Sequence, residues 1–78
     1  MNYFVYAIQS QCGRVYVGQT DDFEQRLSQH NKGQVKSTRE DRPWHLLKIE
    51  AFPSREGARY FEWQLKKSRG RRSRWLQQ

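Results

Sequence analysis

Arg26, His30 and Glu62 are charged or polar residues that interrupt the apolar stripes of two helical segments. At about 100° per residue, Phe23, Arg26, Leu27 and His30 share one face of a first helix. With Phe23 and Leu27 as buried contacts, Arg26 and His30 point toward the same neighbour. In a second helix Ala58, Phe61 and Leu65 form the stripe, and Glu62 lies between them by angle. A carboxylate on an apolar face is costly unless it is paired, hydrogen-bonded or bound to a cation. Two tyrosines complete the set. If the turn between two strand-like runs centres on Cys12, Tyr16 lies opposite Ile8 and Tyr6 opposite Gly18. Tyr6 and Tyr16 then become diagonal neighbours on one sheet face. Gly18 leaves a gap beside Tyr6 that a backbone or ligand could enter.

Two phenols, a guanidinium, an imidazole and a carboxylate on one side of a small sheet suit phosphodiester chemistry. A single carboxylate can hold Mg²⁺ or Mn²⁺, ions that keep several waters and lean on few protein ligands. A planar, permanently charged guanidinium binds a phosphate through two hydrogen bonds and offsets charge developing in the transition state. A tyrosine or a neutral histidine can take the proton of the attacking nucleophile. Each residue also has a purely structural alternative. Tyr6 and Tyr16 could be core tyrosines with satisfied hydroxyls. Arg26 and Glu62 could pair with each other or with rim charges, and His30 could compensate the dipole at a helix C-terminus.

The elements that must position these groups follow from local patterning. Tyr3–Gln9 is apolar on both alternating faces, the mark of a strand covered on two sides. Ser10-Gln11-Cys12-Gly13-Arg14 supplies turn residues and Val15-Tyr16-Val17-Gly18 resumes an extended run, which makes a hairpin. A first helix starts near Asp21, which can cap it, with Glu24 at the third helical position, and stops at Gly33 after Lys32. Gly33–Pro43 is polar, basic and without period, hence a loop. Trp44–Phe52 is a third strand ended by Pro53, and Ser54 caps a second helix running to about Lys67. Residues 68–78 form a basic tail with Arg69, Arg71, Arg72 and Arg74, whose Trp75-Leu76 could dock a last helical turn. There is no internal repeat.

Seventy-eight residues suffice for a single domain. Leu, Ile, Val and Phe supply 15 of them, close to the composition of disordered chains, yet three Trp, four Tyr and four Phe give large buried payloads. The expected class is α+β, with a small antiparallel sheet flanked by helices. The longest apolar run, Tyr3–Ile8, is far too short to span a bilayer. No secretory signal is visible, and the lone Cys12 can form neither an internal disulfide nor a cysteine zinc site. A cytoplasmic location without a membrane partner is therefore expected. Fifteen Lys and Arg against eight Asp and Glu leave a net charge of +7, which makes a polyanion the first partner to consider. Lys36, Arg39 and Arg42 in the central loop, with Lys66, Lys67 and the arginine tail, are placed to follow a phosphate backbone. Trp44, Trp63 and Trp75 are able to stack on unpaired bases, although Trp44 reads better as core. No major-groove recognition helix is evident.

At these residues the chain resembles the GIY-YIG nuclease superfamily. The motif elements are Val5-Tyr6 within Tyr-Phe-Val-Tyr-Ala-Ile, Tyr16-Val17-Gly18, the block Phe23–Asn31 with Arg26 and His30, and Pro53–Lys66 with Glu62. The likeness runs from Tyr3 to about Lys67, and a stretch such as Lys36-Ser37-Thr38-Arg39 followed by Arg42-Pro43 is similar to small stand-alone members related to the N-terminal nuclease domain of the UvrC excision-repair protein. The order and spacing of these elements, more than any single one, make the likeness specific.

That resemblance implies a three-stranded antiparallel sheet with helices around it, spanning residues 1–78. It implies a metal-dependent endonuclease that hydrolyses phosphodiester bonds in DNA, ahead of RNA, with one Mg²⁺ or Mn²⁺. Single-stranded or structure-selective cleavage fits the absent recognition helix. Tyr6 and Tyr16 would be active-site tyrosines, Arg26 would contact the scissile phosphate, His30 would assist proton transfer or orient the nucleophile, and Glu62 would ligate the metal. Phe4 and Val5 replace the leading glycine and isoleucine of the first motif, and Gln19 stands where some members have lysine. The tail has arginines but not the asparagine that some members carry after the glutamate helix. The alternatives are a catalytically weak nucleic-acid-binding module of the same fold, and an adaptor whose tail docks on a protein.

Overall fold

In the computed structural model, which describes residues 2–78, the doubly apolar run becomes the central strand. β1 (Tyr3–Ser10) is flanked by β2 (Val15–Thr20) and β3 (Trp44–Phe52) in the order β2-β1-β3, and both pairings are antiparallel. Val5, Tyr6, Ala7 and Ile8 are all buried, as a strand covered on both faces requires. The hairpin has the expected register, with Tyr6 opposite Gly18 and Ile8 opposite Tyr16. Its turn places Gly13 at φ +94°, a conformation that favours glycine. The Ser10 amide donates to the Arg14 carbonyl, and the Arg14 amide donates to Ser10 Oγ.

α1 (Phe23–Asn31), α2 (Arg55–Lys67) and α3 (Arg69–Gln77) cover the sheet. The α1 cap is Asp22 rather than Asp21: its side chain accepts from the Gln25 amide, while its own amide donates to Thr20 Oγ1. That threonine hydroxyl selects between two adjacent aspartates. The helix stops at Lys32, and Gly33 follows at φ +79°. Ser54 caps α2 as its position predicts, accepting from the Gly57 amide. Between α1 and β3 the basic loop holds a short 3₁₀ turn, Arg39–Asp41.

Two apolar clusters lie on opposite faces of the sheet. Val5, Ala7 and Val17 pack against Ala58, Leu65 and Trp75 from α2 and α3, with Phe52 and Phe61 beside them. Tyr6 and Ile8 pack against Trp44, with Tyr16, Phe23 and Leu27 alongside. The segment read as a basic tail is helical over nearly its whole length. Ser68 caps α3 by accepting from the Arg71 amide, and Trp75 is buried with its indole N–H donating to Glu50 at 2.9 Å. The four arginines thus sit on a docked helix, whose order comes from the buried indole rather than from helix propensity. No helix among the described residues is long and apolar enough to cross a membrane.

Candidate active site

The second of these clusters adjoins the polar residues that interrupt the α1 stripe, Arg26 and His30. His30, in the last turn of α1, is fully buried, and its Nε2 lies 2.9 Å from the Tyr6 hydroxyl. On the other side of the ring, Nδ1 lies 2.7 Å from Thr38 Oγ1. Thr38 is itself fully buried, and its hydroxyl also reaches the Val35 carbonyl at 3.4 Å. Tyr6, His30 and Thr38 therefore form a continuous hydrogen-bonded chain between the central strand, α1 and the basic loop.

Several contacts fix that chain. The Asn31 side chain accepts from the Trp44 amide at 2.7 Å and donates to the Trp44 carbonyl at 3.1 Å, tying the end of α1 to the start of β3. The Trp44 indole donates to the Thr38 carbonyl at 2.9 Å, so the loop segment bearing Thr38 is held from both sides. Arg14 donates to the Ser37 carbonyl and pairs with Asp41, which links the hairpin turn to the same loop.

Burial sets the protonation of the chain. It lowers the His30 pKa to about 4, with the positive charge of Arg26 acting in the same direction. The imidazole is thus neutral near pH 7. Burial raises the Tyr6 pKa to about 12, while the Arg26 guanidinium pulls the other way and the Tyr16 and Glu62 side chains add to the rise. Tyr6 therefore keeps its proton, and its field reports Arg26, Tyr16 and Glu62 as neighbours.

Tyr16 is the more accessible phenol. It is half-buried, with its ring 6.4 Å from that of Tyr6 and 5.1 Å from His30. The diagonal relation expected from the register is realised. Gly18 is required beside the two rings, since a Cβ there would sit 2.5 Å from the Tyr6 oxygen and 3.1 Å from Tyr16. The gap anticipated at Gly18 is thus filled by the Tyr6 phenol itself, not left open to a ligand. On α1, Arg26 is half-buried and donates to Gln29 Oε1 at 3.0 Å. It forms no ion pair among the described residues, so its charge is not spent on Glu62.

Glu62 faces inward, with its side chain 20% exposed, and pairs with Lys66 at 3.1 Å. Lys66 Nζ in turn lies 5.6 Å from the centre of the Tyr16 ring, which brings this turn of α2 to the β2 side of the phenols. No cluster of three or more His, Cys, Asp or Glu side chains able to hold a metal occurs among the described residues. A lone carboxylate still fits a hard divalent ion that keeps its waters and takes further oxygens from a phosphate.

Tyr6, Tyr16 and His30 meet on one face of the sheet with Arg26 of α1 beside them. Glu62 comes instead from α2, packed on the opposite face, and approaches only at the β2 edge, where its partner Lys66 lies over the Tyr16 ring. Thr38 lies in the Lys36-Ser37-Thr38-Arg39 stretch of the family likeness, but neither its contact with His30 nor the role of Lys66 as the partner of Glu62 carries a periodic signal. Gln19, the half-buried β2 residue at a motif departure, has a buried Oε1 without a hydrogen-bond partner. Lys36, Arg39 and Arg42 are exposed on the loop beyond Thr38, where Arg42 Nε donates to the Arg39 carbonyl. Lys67 lies on the far side of α2, over the Trp63 ring.

Comparison with known proteins finds relatives over nearly the whole chain. The family model described as the GIY-YIG catalytic domain matches residues 2–74. A UPF0213 protein of Halalkalibacterium halodurans is 37% identical over 67 residues, covering 85% of this chain and 71% of that protein. The structure-specific endonuclease subunit slx1 of Talaromyces stipitatus is 49% identical over 55 residues, or 63% of this chain. The chain spans only 14% of that subunit's length. The solution NMR structure of the UPF0213 protein of Bacillus halodurans superposes with a TM-score of 0.63 at 34% identity, over 99% of this chain and 84% of that one.

Proposed function

The chain belongs to the GIY-YIG family, and from that premise we propose that it is a divalent-metal-dependent endonuclease hydrolysing phosphodiester bonds in DNA, at unpaired or branched sites. What supports this reading is the half-buried Tyr16 and Arg26 beside the buried Tyr6–His30 pair, with the half-buried Glu62 approaching from α2 at the β2 edge through Lys66. That the slx1 relative is a structure-specific endonuclease subunit supports the choice of substrate.

Each residue has a role that its surroundings suit. Arg26, free of a carboxylate partner, binds the scissile phosphate and offsets charge gained in the transition state. Glu62 would hold one Mg²⁺ or Mn²⁺, in competition with the charge of Lys66. The ion, when bound, withdraws electron density from the phosphate and lowers the pKa of a coordinated water. Tyr16, the reachable phenol, would relay the proton of the attacking water, taking it up while passing its own hydroxyl proton to solvent, as a P–O bond forms and the opposite P–O bond breaks with the leaving oxygen protonated from solvent. Tyr6 and His30 stand behind it and hold its ring in place, with Thr38 fixing the imidazole. Lys36, Arg39, Arg42, Lys66 and Lys67 hold flanking phosphates.

A nuclease assay on single-stranded, branched and fully paired DNA with Mg²⁺ or Mn²⁺ tests this reading. Wild-type protein should cut the first two, and Arg26→Ala should lose cutting. No cleavage of any DNA by wild type, with binding retained, would instead leave a binding module of the same fold.

A further inference from the structure

The solvent face of α2 carries a pair of aromatic rings that the candidate active site does not use. Tyr60 is 60% exposed and Trp63 53% exposed. Their rings stack, with centroids 6.0 Å apart and 25° between planes, and Lys67 Nζ sits 4.7 Å from the Trp63 ring centre. Trp44 and Trp75 are each 3% exposed and belong to the apolar clusters, which leaves Trp63 as the accessible indole.

The position of this pair relative to Glu62 gives it meaning. At about 100° per residue, Arg59 and Lys66 fall between Trp63 and Glu62 around the helix. Passing around α2 from the inward acid, a bound strand would therefore meet two cations and then two stacked rings with a third cation. A phosphate backbone and unpaired bases present that same alternation of negative charge and flat apolar surface. The pair's neighbours Glu56, Arg59, Gln64 and Lys67 are polar, so the two rings stand among charged and polar groups rather than within a wider apolar face.

We propose that Tyr60 and Trp63 form a stacking platform for unpaired nucleotides beside the cleavage position, with Arg59, Lys66 and Lys67 on their phosphates. This rests on the nucleic-acid reading above but not on cleavage itself. The platform explains how a sequence-independent site could favour unpaired strand over duplex, since only unpaired bases offer their faces to the rings.

Binding of an unpaired oligonucleotide and of a duplex of equal length, measured without divalent metal, tests it. Wild-type protein should show Trp fluorescence quenched by the single strand. The Tyr60→Ala/Trp63→Ala double variant should bind that strand about 10-fold more weakly or worse, with less than about a 2-fold change on duplex. Tyr60→Phe/Trp63→Phe, which keeps two rings, should restore most of the affinity, and circular dichroism should show all three proteins folded. Unchanged single-strand affinity in the alanine variant overturns the proposal, as does an equal loss on single strand and duplex. Concentration-dependent dimerisation that disappears in the alanine variant, with strand binding intact, would assign the rings to a second copy and also overturn it. A wild-type protein that binds strand through these rings yet cuts nothing would defeat the nuclease reading alone. An alanine variant that binds and cuts unpaired strand like wild type would defeat the platform alone.

Discussion

The Tyr6 hydroxyl and His30 Nε2 are 2.9 Å apart, and both residues are shut off from solvent. A phenol and an imidazole in contact need not exchange a proton here. Burial moves their proton affinities apart, to about 12 and about 4, so both stay neutral over the working range of pH. The pair is a rigid neutral wall between β1 and α1, on which Tyr16 and Arg26 are mounted.

Stability should therefore fall on both sides of neutrality. The unfolded chain protonates His30 near 6.5, while the folded protein resists until about 4, so stability is present above 6.5 and is lost as pH falls from there toward 4. The unfolded chain ionises Tyr6 near 10.0 and the folded protein near 12, so stability is lost again as pH rises between those values. Urea unfolding at a series of pH values should show an acid limb of about 3 kcal/mol. His30→Gln should flatten that limb, whatever it does to the stability at pH 7.

Thr38→Val keeps the side-chain shape but leaves His30 Nδ1 without its partner at 2.7 Å. The expected cost is about 1–3 kcal/mol, the penalty for a buried polar atom left unsatisfied. Thermal unfolding reads this cost, and the ¹⁵N shifts of the His30 ring should change because the hydroxyl no longer bonds Nδ1. Thr38→Ser, which retains the hydroxyl, should recover the wild-type ring shifts.

Gly18→Ala should damage the site without adding any polar group. The new methyl would sit 2.5 Å from the Tyr6 oxygen and 3.1 Å from the Tyr16 ring, so both rings must shift. Overpacking of this kind costs about 1–3 kcal/mol. Cleavage should fall more steeply than stability, measured as a loss of kcat that exceeds what the fraction unfolded accounts for.

Much of this site was legible before any coordinates. The sequence did not fix the hairpin register, but the register that follows from centring the turn on Cys12 is the one observed, and two-residue periodicity then places Tyr6 and Tyr16 on one face. Helical angles placed Arg26 and His30 with Phe23, and Glu62 with Leu65. Two kinds of feature were not legible. The packing of residues 68–78 depends on a single indole finding the surface made by Ala58 and Leu65, which local pattern does not encode. Thr38 reaches His30 only because the loop is pinned by Arg14, Asn31 and Trp44, contacts that join residues far apart in the chain. Between Asp21 and Asp22, the choice of cap lay with the Thr20 hydroxyl.

Lys66 Nζ pairs with one oxygen of the Glu62 carboxylate at 3.1 Å, so a divalent ion at this carboxylate competes with its positive charge. Lys66→Gln should therefore lower the Mn²⁺ concentration needed for half-maximal binding while weakening the hold on DNA. The slope of log affinity against log salt should shrink by about one phosphate contact. Calorimetric Mn²⁺ titration and a salt series on the same variant check the two halves separately.

The decisive measurement is cleavage of a branched DNA by Glu62→Gln beside wild type, with Mn²⁺ binding and DNA binding recorded on both proteins. Wild type should bind Mn²⁺ and cut; the variant should remain folded, bind DNA about as well, lose Mn²⁺ and cut at least about 100-fold more slowly. A variant that cuts at the wild-type rate would show that this carboxylate is not the metal ligand of the reaction.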